Sequence, residues 1–550
     1  MDRFTASGTI PPAPPGSSAF DGRSHKKRAD AAWGRHDEWT KILWDAYRFV
    51  TPHRQSTRLS TWPGARMDFI FDSTASTSLM RSAGRLQQDL FPPGEPFGKM
   101  EPSPFAKAVA SKHGQNLDDV NAECELASTQ IGAVFLNGEW DGANIEMLED
   151  LLVSTGFLLI LEGDEDTIAR FVSASQDEVA LDAGPLNEIG GIFFRRKWPM
   201  RAILQQFPRG NFTEAFRLKA EADGETEKEL AQDVVYDARA RRWRLYAYIW
   251  DDPEHLIWEE ESKTCPWITP RYYRLPGQVY GWGPAMMSMA TTKTLNKAVE
   301  LTLRTAALNM AGIFTRVDDG VFNPDTARIE PGAFWTVARN GGPTGPSIQR
   351  LPPGGDPQLS NLVLQDLRAQ VHLNMNDQQL PPTTGQARAA AEIIERVRRG
   401  VQDHAGAFGR LCHECVVPAW KRVEEILEKK GILQTNLRAG TLLTKLRVVS
   451  PLGAMFEATQ AANYMQWAQA AEAIGGPGSI HMISPVNSAL SEIGRALGLP
   501  ARWVHSESVQ QDIQASIADG VKQAVAAMQK QQQQPAAPNG DPAQAMQGGQ

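Results

Sequence analysis

Apolar positions repeat with a helical period over long stretches of this chain and with a strand period between them. From Ala285 to Leu308, Met286, Met289, Leu295, Val299, Leu303 and Ala306 recur at spacings near three and four, which a helix gathers into one stripe. Pro284 stands where a first-turn proline is tolerated. About 45 residues rich in Gly and Pro follow, with short β-prone runs (IFTRV, FWTVA, SIQRL). A second helix is predicted over Pro357 to Asn376, then a polar loop from Asp377 to Ala387. A last helix spans about Arg388 to Lys430 and carries Ile393, Ile394, Val397, Val401, Phe408, Leu411, Cys415, Val416, Trp420, Val423, Ile426 and Leu427. Gly400, Gly406 and Gly409 weaken its middle, and Pro418 removes a backbone hydrogen bond, which predicts a bend between Gly400 and Pro418.

Upstream, residues 1 to about 35 are rich in Pro, Gly and Ser and then basic (Arg23, Lys26, Lys27, Arg28), a composition that reads as a disordered arm with a solvated charge cluster. The run HDEWTKILWDAYRFV sets Trp39, Ile42, Leu43, Ala46, Phe49 and Val50 on one side of a helix. A second helix starts near Ser78 and stops at Pro92-Pro93, and a long helical region covers Pro104 to Leu136. In ANIEMLEDLLVSTG, Gly156 is a C-terminal stop. The run from Leu151 to Leu161 is too short to cross a bilayer as a helix and reads as a buried strand. From Phe157 the pattern turns to strands: FLLILEG, RFVSA, EVALD and IGGIFFRRKW. Two short helices (WPMRAILQQFP, TEAFRLKAEA) precede a hairpin with its turn at Ala238 to Ala240. HLIWEEE and PWITPRYYRL then complete a mixed α+β region. After Lys430 come a β-prone piece, LLTKLRVVSPLG, two or three helices, and a low-complexity Gln-rich end.

Composition narrows the function classes. The chain has 550 residues, 42% hydrophobic and 22% charged, as in ordinary soluble proteins. Net charge is −8, which argues against a basic binder of duplex nucleic acid but leaves room for a pore lining over which DNA slides. Four cysteines in such a length are too few for a disulfide scaffold. The N-terminus shows no apolar signal segment.

Candidate chemistry is sparse. The stretch Asn340 to Ser347 is Gly-rich but lacks the lysine of a phosphate-binding loop, and neither a nucleophile elbow nor an H-E-x-x-H pair occurs. Cys412-His413-Glu414-Cys415, with His404 upstream, has two thiols three residues apart but no second ligand pair, so it reads as buried structure; no metal or cofactor is expected. Asp251-Asp252 and Asp318-Asp319 would be the carboxylates of a nucleic-acid-processing enzyme, but both read as solvated acids at strand ends or turns. The loop residues Gln378, Gln379, Thr383, Thr384 and Gln386, with Arg388 opening the next helix, read either as a solvated connection or as weak, sequence-independent phosphate contacts. Lys293, Lys297 and Arg304 share one face of the first helix, with Arg368 on the second; these also could meet DNA, solvent or a neighbour. Arg316, Arg328, Arg339 and Arg350 in the β-rich excursion could pair with acidic groups of a partner.

The order helix, β-rich excursion, helix, loop, long helix resembles the portal protein, or head-to-tail connector, of short-tailed bacteriophages. Two local stretches carry the likeness. CPWITPRYYRLPGQVYGWGPAM, from Cys265, is similar to the family's strand leading into the stem; RMDFIFDSTASTSLMRSAGRLQQDLFPPGEPFGKM, from Arg66, is similar to its N-terminal segment, with Phe97-Gly98 where a Trp-Phe pair is common. The resemblance implies a mainly α fold with α+β parts that forms rings. Its parts would be an arm (1–35), a wing (36–282), a first stem helix (283–309), a clip (310–355), a second stem helix (356–376), a channel loop (377–388), a long kinked helix with the segment after it (389–479), a helical crown (480–530) and a Gln-rich tail (531–550). It further implies a dodecameric, non-enzymatic ring at a capsid vertex, assembled in the host cytoplasm without a membrane. Double-stranded DNA, terminase, major capsid protein, scaffold and tail adaptor would be its partners. The sequence alone leaves open another structural virion component, such as a tail or internal ejection protein.

Overall fold

The computed structural model describes residues 21–53, 68–103, 105, 117–164, 167–184, 188–311, 314–316, 348–350, 357–377, 407, 409–433, 444–449 and 464–476. The chain divides into two units, Met1–Pro451 and Leu452–Gln550. In the second, residues 464–475 are helical, within the run expected to be a helix.

The first unit opens on helices α1 (Gly22–Phe49) and α2 (Thr74–Leu90), then strand β1 (Gly98–Pro102) and helices α3 (Leu117–Asn137) and α4 (Trp140–Val153). Strands β2 (Leu158–Glu162), β3 (Ala169–Ser173), β4 (Val179–Ala183) and β5 (Ile189–Pro199) follow. Short helices α5 (Met200–Gln206) and α6 (Glu214–Ala222) lead to β6 (Glu227–Asp237), β7 (Arg242–Ile249), β8 (Asp252–Ser262) and β9 (Trp267–Ile268). After a turn of helix α7 (Pro284–Met287) come α8 (Met289–Ala311), β10 (Phe314–Arg316), β11 (Ile348–Arg350) and α9 (Pro357–Asn374). The last elements are α10 (Val417–Lys429) and β12 (Thr444–Val448).

Strands β4 to β8 form one antiparallel meander in sequence order, as the alternating patterns require, with the β6–β7 turn at the expected Ala238 to Ala240. β2 lies between β3 and β9 in a second sheet, and β10 pairs antiparallel with β11. β12 pairs with β1, from Gly98 opposite Val448 to Pro102 opposite Thr444. Its partner β1 has no alternating apolar pattern and was not expected.

Helix α1 corrects the expected arm: residues 22–35 are helical. Asp21 caps the helix through its carboxylate, and Ala29, Ala32 and Trp33 are buried against Ala180, Phe193, Ala231 and Tyr248 of the large sheet. The basic cluster is not a solvated tail either. Arg23 pairs with Glu254, Arg28 and Arg35 share Asp182, and Lys26 donates to the Trp250 carbonyl at 2.9 Å. His25 Nε2 lies 2.8 Å from the fully buried Asp233, whose carboxyl burial pushes upward. Pro and Gly density misled here because it ends before Gly22, while the charges belong to a helix that meets carboxylates. Residues 1–20 lie outside the described residues.

Further along α1, Trp39, Leu43, Ala46 and Val50 are buried as expected, whereas Ile42 is exposed. The run Leu151 to Leu161 is not a single strand. It is the end of α4, a short extended crossing, and β2. α4 stops at Val153, three residues before the expected glycine stop. The expected helical region from Pro104 is described from Leu117 onward and ends at Asn137.

An aromatic core joins α2, β1, α3, α4, β3 and α10. The Trp140 ring lies 5.4 Å from Phe97, 4.9 Å from Phe135 and 5.2 Å from Phe171, and Trp420 lies 5.9 Å from Phe135. Here the departure from the family pattern at Gly98 has a reason: a Cβ would sit 2.6 Å from the Trp420 ring. In the long helix, Leu411, Cys415, Val416, Trp420, Val423, Ile426 and Leu427 are all buried. A π turn spans Cys412–Val416, ahead of Pro418. The proline cannot donate to the carbonyl four residues back, and a wider turn is one way to absorb that. Residues 388–406, and Phe408, lie outside the described residues.

Candidate functional site

The region that carries the expected function is the pair α8 and α9 with the β10–β11 ladder beyond them. Its inner half sits on a built mount. Leu295 and Val299 of α8 and Val371 of α9 are buried, as is Met375 just past the end of α9. From residue 303 to 307 on α8 and 361 to 363 on α9 every position is exposed. The stripe predicted on the first helix is therefore correct at Met286, Leu295 and Val299, and overturned at Leu303 and Ala306. The body ends before it reaches them.

Both stretches that carried the family likeness turn out to form the mount. In the first, Asp72 accepts from the amide of Thr74, the first residue of α2, at 2.9 Å and holds Arg368 of α9 at 2.8 and 3.0 Å. Burial would raise the Asp72 carboxyl, but hydrogen bonds from Thr74 and Arg368 outweigh it and hold the group below its usual range. Next to it, Asn296 of α8 donates to the Phe69 carbonyl at 2.9 Å and accepts from the Phe71 amide at 2.7 Å. On the following turns of α2, Ser78 Oγ lies 2.8 Å from His372 Nδ1, and Ser82 donates to the Met375 carbonyl at 2.6 Å. Asn376 ends α9 with φ 56°, a left-handed position that Asn tolerates. Asp377 beyond it is buried, 3.1 Å from His372.

In the second stretch, buried Arg271 holds Glu414 at 2.7 Å. This consumes the one carboxylate of the Cys-His-Glu-Cys run, and burial pushes the Cys412 thiol up to about 11. No group of three or more metal-ligating residues occurs among the described residues. Tyr280 stacks on Trp39 at 5.6 Å and accepts from the Leu181 amide at 3.0 Å. Gly283 lies so close to α4 that a Cβ would be 2.0 Å from the Leu152 carbonyl oxygen. Pro284 then opens α7 in the first turn, as expected.

Residues 23–504 match the family described as bacteriophage head to tail connecting protein. The chain belongs to that family. A connector is a structural component of the virion, which agrees with the sparse chemistry above. Among solved structures, one from the virion of a native gene transfer agent particle is similar at 13% identity with a TM-score of 0.29, over 68% of this chain and 84% of that one. No curated protein matches the chain.

The connector's cations on the helix pair are engaged. Lys293 pairs with Asp45 of α1, while Lys297 and Arg304 share Glu300 at 2.9 and 2.6 Å. Hydrogen bonding from Lys297 holds the Glu300 carboxyl low. Arg368 points inward to Asp72. Arg316 and Arg350 lie at opposite ends of the β10–β11 ladder, paired in register with Ile348 and Phe314. Arg328, Arg339, Gln378, Gln379, Thr383, Thr384, Gln386 and Arg388 lie outside the described residues, as does Asp318-Asp319. Asp251 sits at the β7–β8 turn near Lys228. Sequence reasoning missed Glu300, Asp45 and Asp72 as partners. The spacing of Glu300 to Lys297 and Arg304, three and four residues, was the available signal. No helix among the described residues is long and apolar enough to cross a membrane.

Proposed function

We propose that this connector is a portal subunit, and that copies close a dodecameric ring at one capsid vertex through which double-stranded DNA passes during packaging and ejection. The observation that carries this reading is the helix pair, buried at its mount and exposed beyond it, with an antiparallel β ladder at its far side. Such a hairpin contributes little to its own subunit's core. It gains a purpose when a repeated interface closes around an axis.

In this reading α8 and α9 are the stem, the segment with β10 and β11 is the clip, and the α+β body before them is the wing. The loop after Asp377 faces DNA, with Gln378, Gln379, Thr383, Thr384, Gln386 and Arg388 giving weak phosphate contacts. The amide and hydroxyl side chains of that loop suit a wall along which a polyanion slides without sticking, and non-specific contact weakens with salt. Arg316, Arg328, Arg339 and Arg350 face acidic groups of the terminase during packaging and of the tail adaptor afterwards. Capsid and scaffold proteins surround the wing during assembly in the host cytoplasm.

The test is negative-stain electron microscopy of the purified protein with mass determination. Rings with a central hole and a dodecameric mass are expected. A compact dimer, a fibre, or a chain that stays monomeric with capsid and scaffold proteins present would overturn the reading.

A further inference from the structure

Helix α9 carries a second stripe on the side away from its mount. Leu362, Asp366, Ala369 and Leu373 follow at spacings of four, three and four and are all exposed, with Leu362 65% and Leu373 54% accessible. This is the spacing with which one helix seats another, yet none of the described residues covers it. Asp366 accepts only from the Gln370 side chain of its own helix at 3.1 Å. The outer face of α8 is its complement. Lys297, Leu301 and Arg304 stand at spacings of four and three, Leu301 is 52% accessible, and two cations share the one carboxylate of Glu300.

Heights along the pair fix which residues meet. Ser288 Oγ lies 3.9 Å from Met375 Sδ at the base, and Phe314 pairs with Arg350 at the far end, which sets the level of one helix against the other. Leu301 lies thirteen residues outward from Ser288, as Leu362 does from Met375. Lys297 lies nine outward, as Asp366 does. A rotation about an axis along the pair preserves those heights.

We propose that the outer stripe of α9 is a docking surface for the outer face of α8 of a second copy, with Leu301 seated against Leu362 and Lys297 meeting Asp366. The partner is this same chain, because its α8 offers the matching leucine, the matching height and the surplus positive charge. The exposed pairing of Lys297 with Glu300 is weak enough to be traded. This rests on the ring reading and adds to it a heterologous seam: each copy gives one α8 face and one α9 face, so the contact cannot close as a dimer.

The double variant L301C/L362C tests the seam in assembled full-length rings under mild oxidation. A ladder of covalent oligomers on a non-reducing gel, collapsing to monomer on reduction, is expected, with each single variant remaining monomeric. The charge variant K297E should lose rings, and K297E/D366K should regain them. Rings visible by electron microscopy without the ladder, or with a link confined to one chain, overturn the seam while leaving the portal reading intact. Covalent dimers from either single variant mean a symmetric contact and overturn it too. Absence of rings in the unmodified protein, with capsid and scaffold proteins present, removes the portal reading itself and the seam with it.

Discussion

In the five-stranded sheet with α1 laid across it, charges are settled within the chain: Arg28 and Arg35 on Asp182, Arg195 on Glu229, Arg23 on Glu254. Along the outer half of α8 and α9 the large apolar side chains Leu301, Leu303, Leu362 and Val363 stay in water. The two regions have the same kind of residues and different debts to the rest of the molecule. The body settles these charges within the chain; the outer half of the helix pair leaves its apolar side chains to water. Burial, not residue type, therefore decides what a substitution does.

The largest effect is expected in the body. Trp420→Ala empties the centre of the aromatic core and should destabilise the subunit by about 3–5 kcal/mol, read as a shifted denaturant midpoint. An unchanged midpoint would mean that the core is not continuous through α10. Arg271→Met strands Glu414 and should be similar or somewhat smaller, about 3 kcal/mol, since Glu414 keeps partial access to water.

At the boundary, Asp72→Asn should cost about 1–3 kcal/mol by loosening Arg368 from the mount. It carries a pH signature. The folded Asp72 carboxyl sits below its ordinary value of 3.8. Its stabilisation is therefore full above that value and is lost as pH falls through the lower folded one. Acid titration of stability between pH 5 and pH 2 should be flatter for D72N than for the natural protein; parallel curves would deny Asp72 this role. The smallest effect belongs to the projecting half. Leu301→Ser should leave the dissociated subunit within about 0.5 kcal/mol of its starting stability, measured by thermal melting. A large loss there would show that α8 is buried in the subunit itself and would erase the comparison.

Elements were legible where the pattern was long and one-sided. The meander from Val179 to Ser262 and the buried face of α10 follow directly from alternation and from the helical stripe. Two kinds of feature were not legible. β1 has a short polar sequence and becomes a strand only because β12, over three hundred residues later, supplies its partner. Charges were the other. Nothing local to Arg23, Arg28 or Lys293 names Asp182, Glu254 or Asp45, so free cations were expected where the fold holds ion pairs. The recognition stretches marked the mount of the helix pair, not its working surface, because mounts need fixed geometry at particular residues: Asp72 to bind Arg368, Arg271 to bind Glu414, and no Cβ at Gly283.

Helix α1 runs unbroken from Gly22 to Phe49, about 40 Å at 1.5 Å per residue. Near one end His25 and Trp33 engage the sheet; toward the other, Trp39 meets Trp282 edge-on at 5.3 Å and Asp45 holds Lys293 of α8. A helix this stiff, fastened at both ends, is a strut. Force applied to the helix pair would be delivered to the sheet rather than absorbed between them. The two halves then move together, and a tilt of the helix pair becomes a displacement of the outer body.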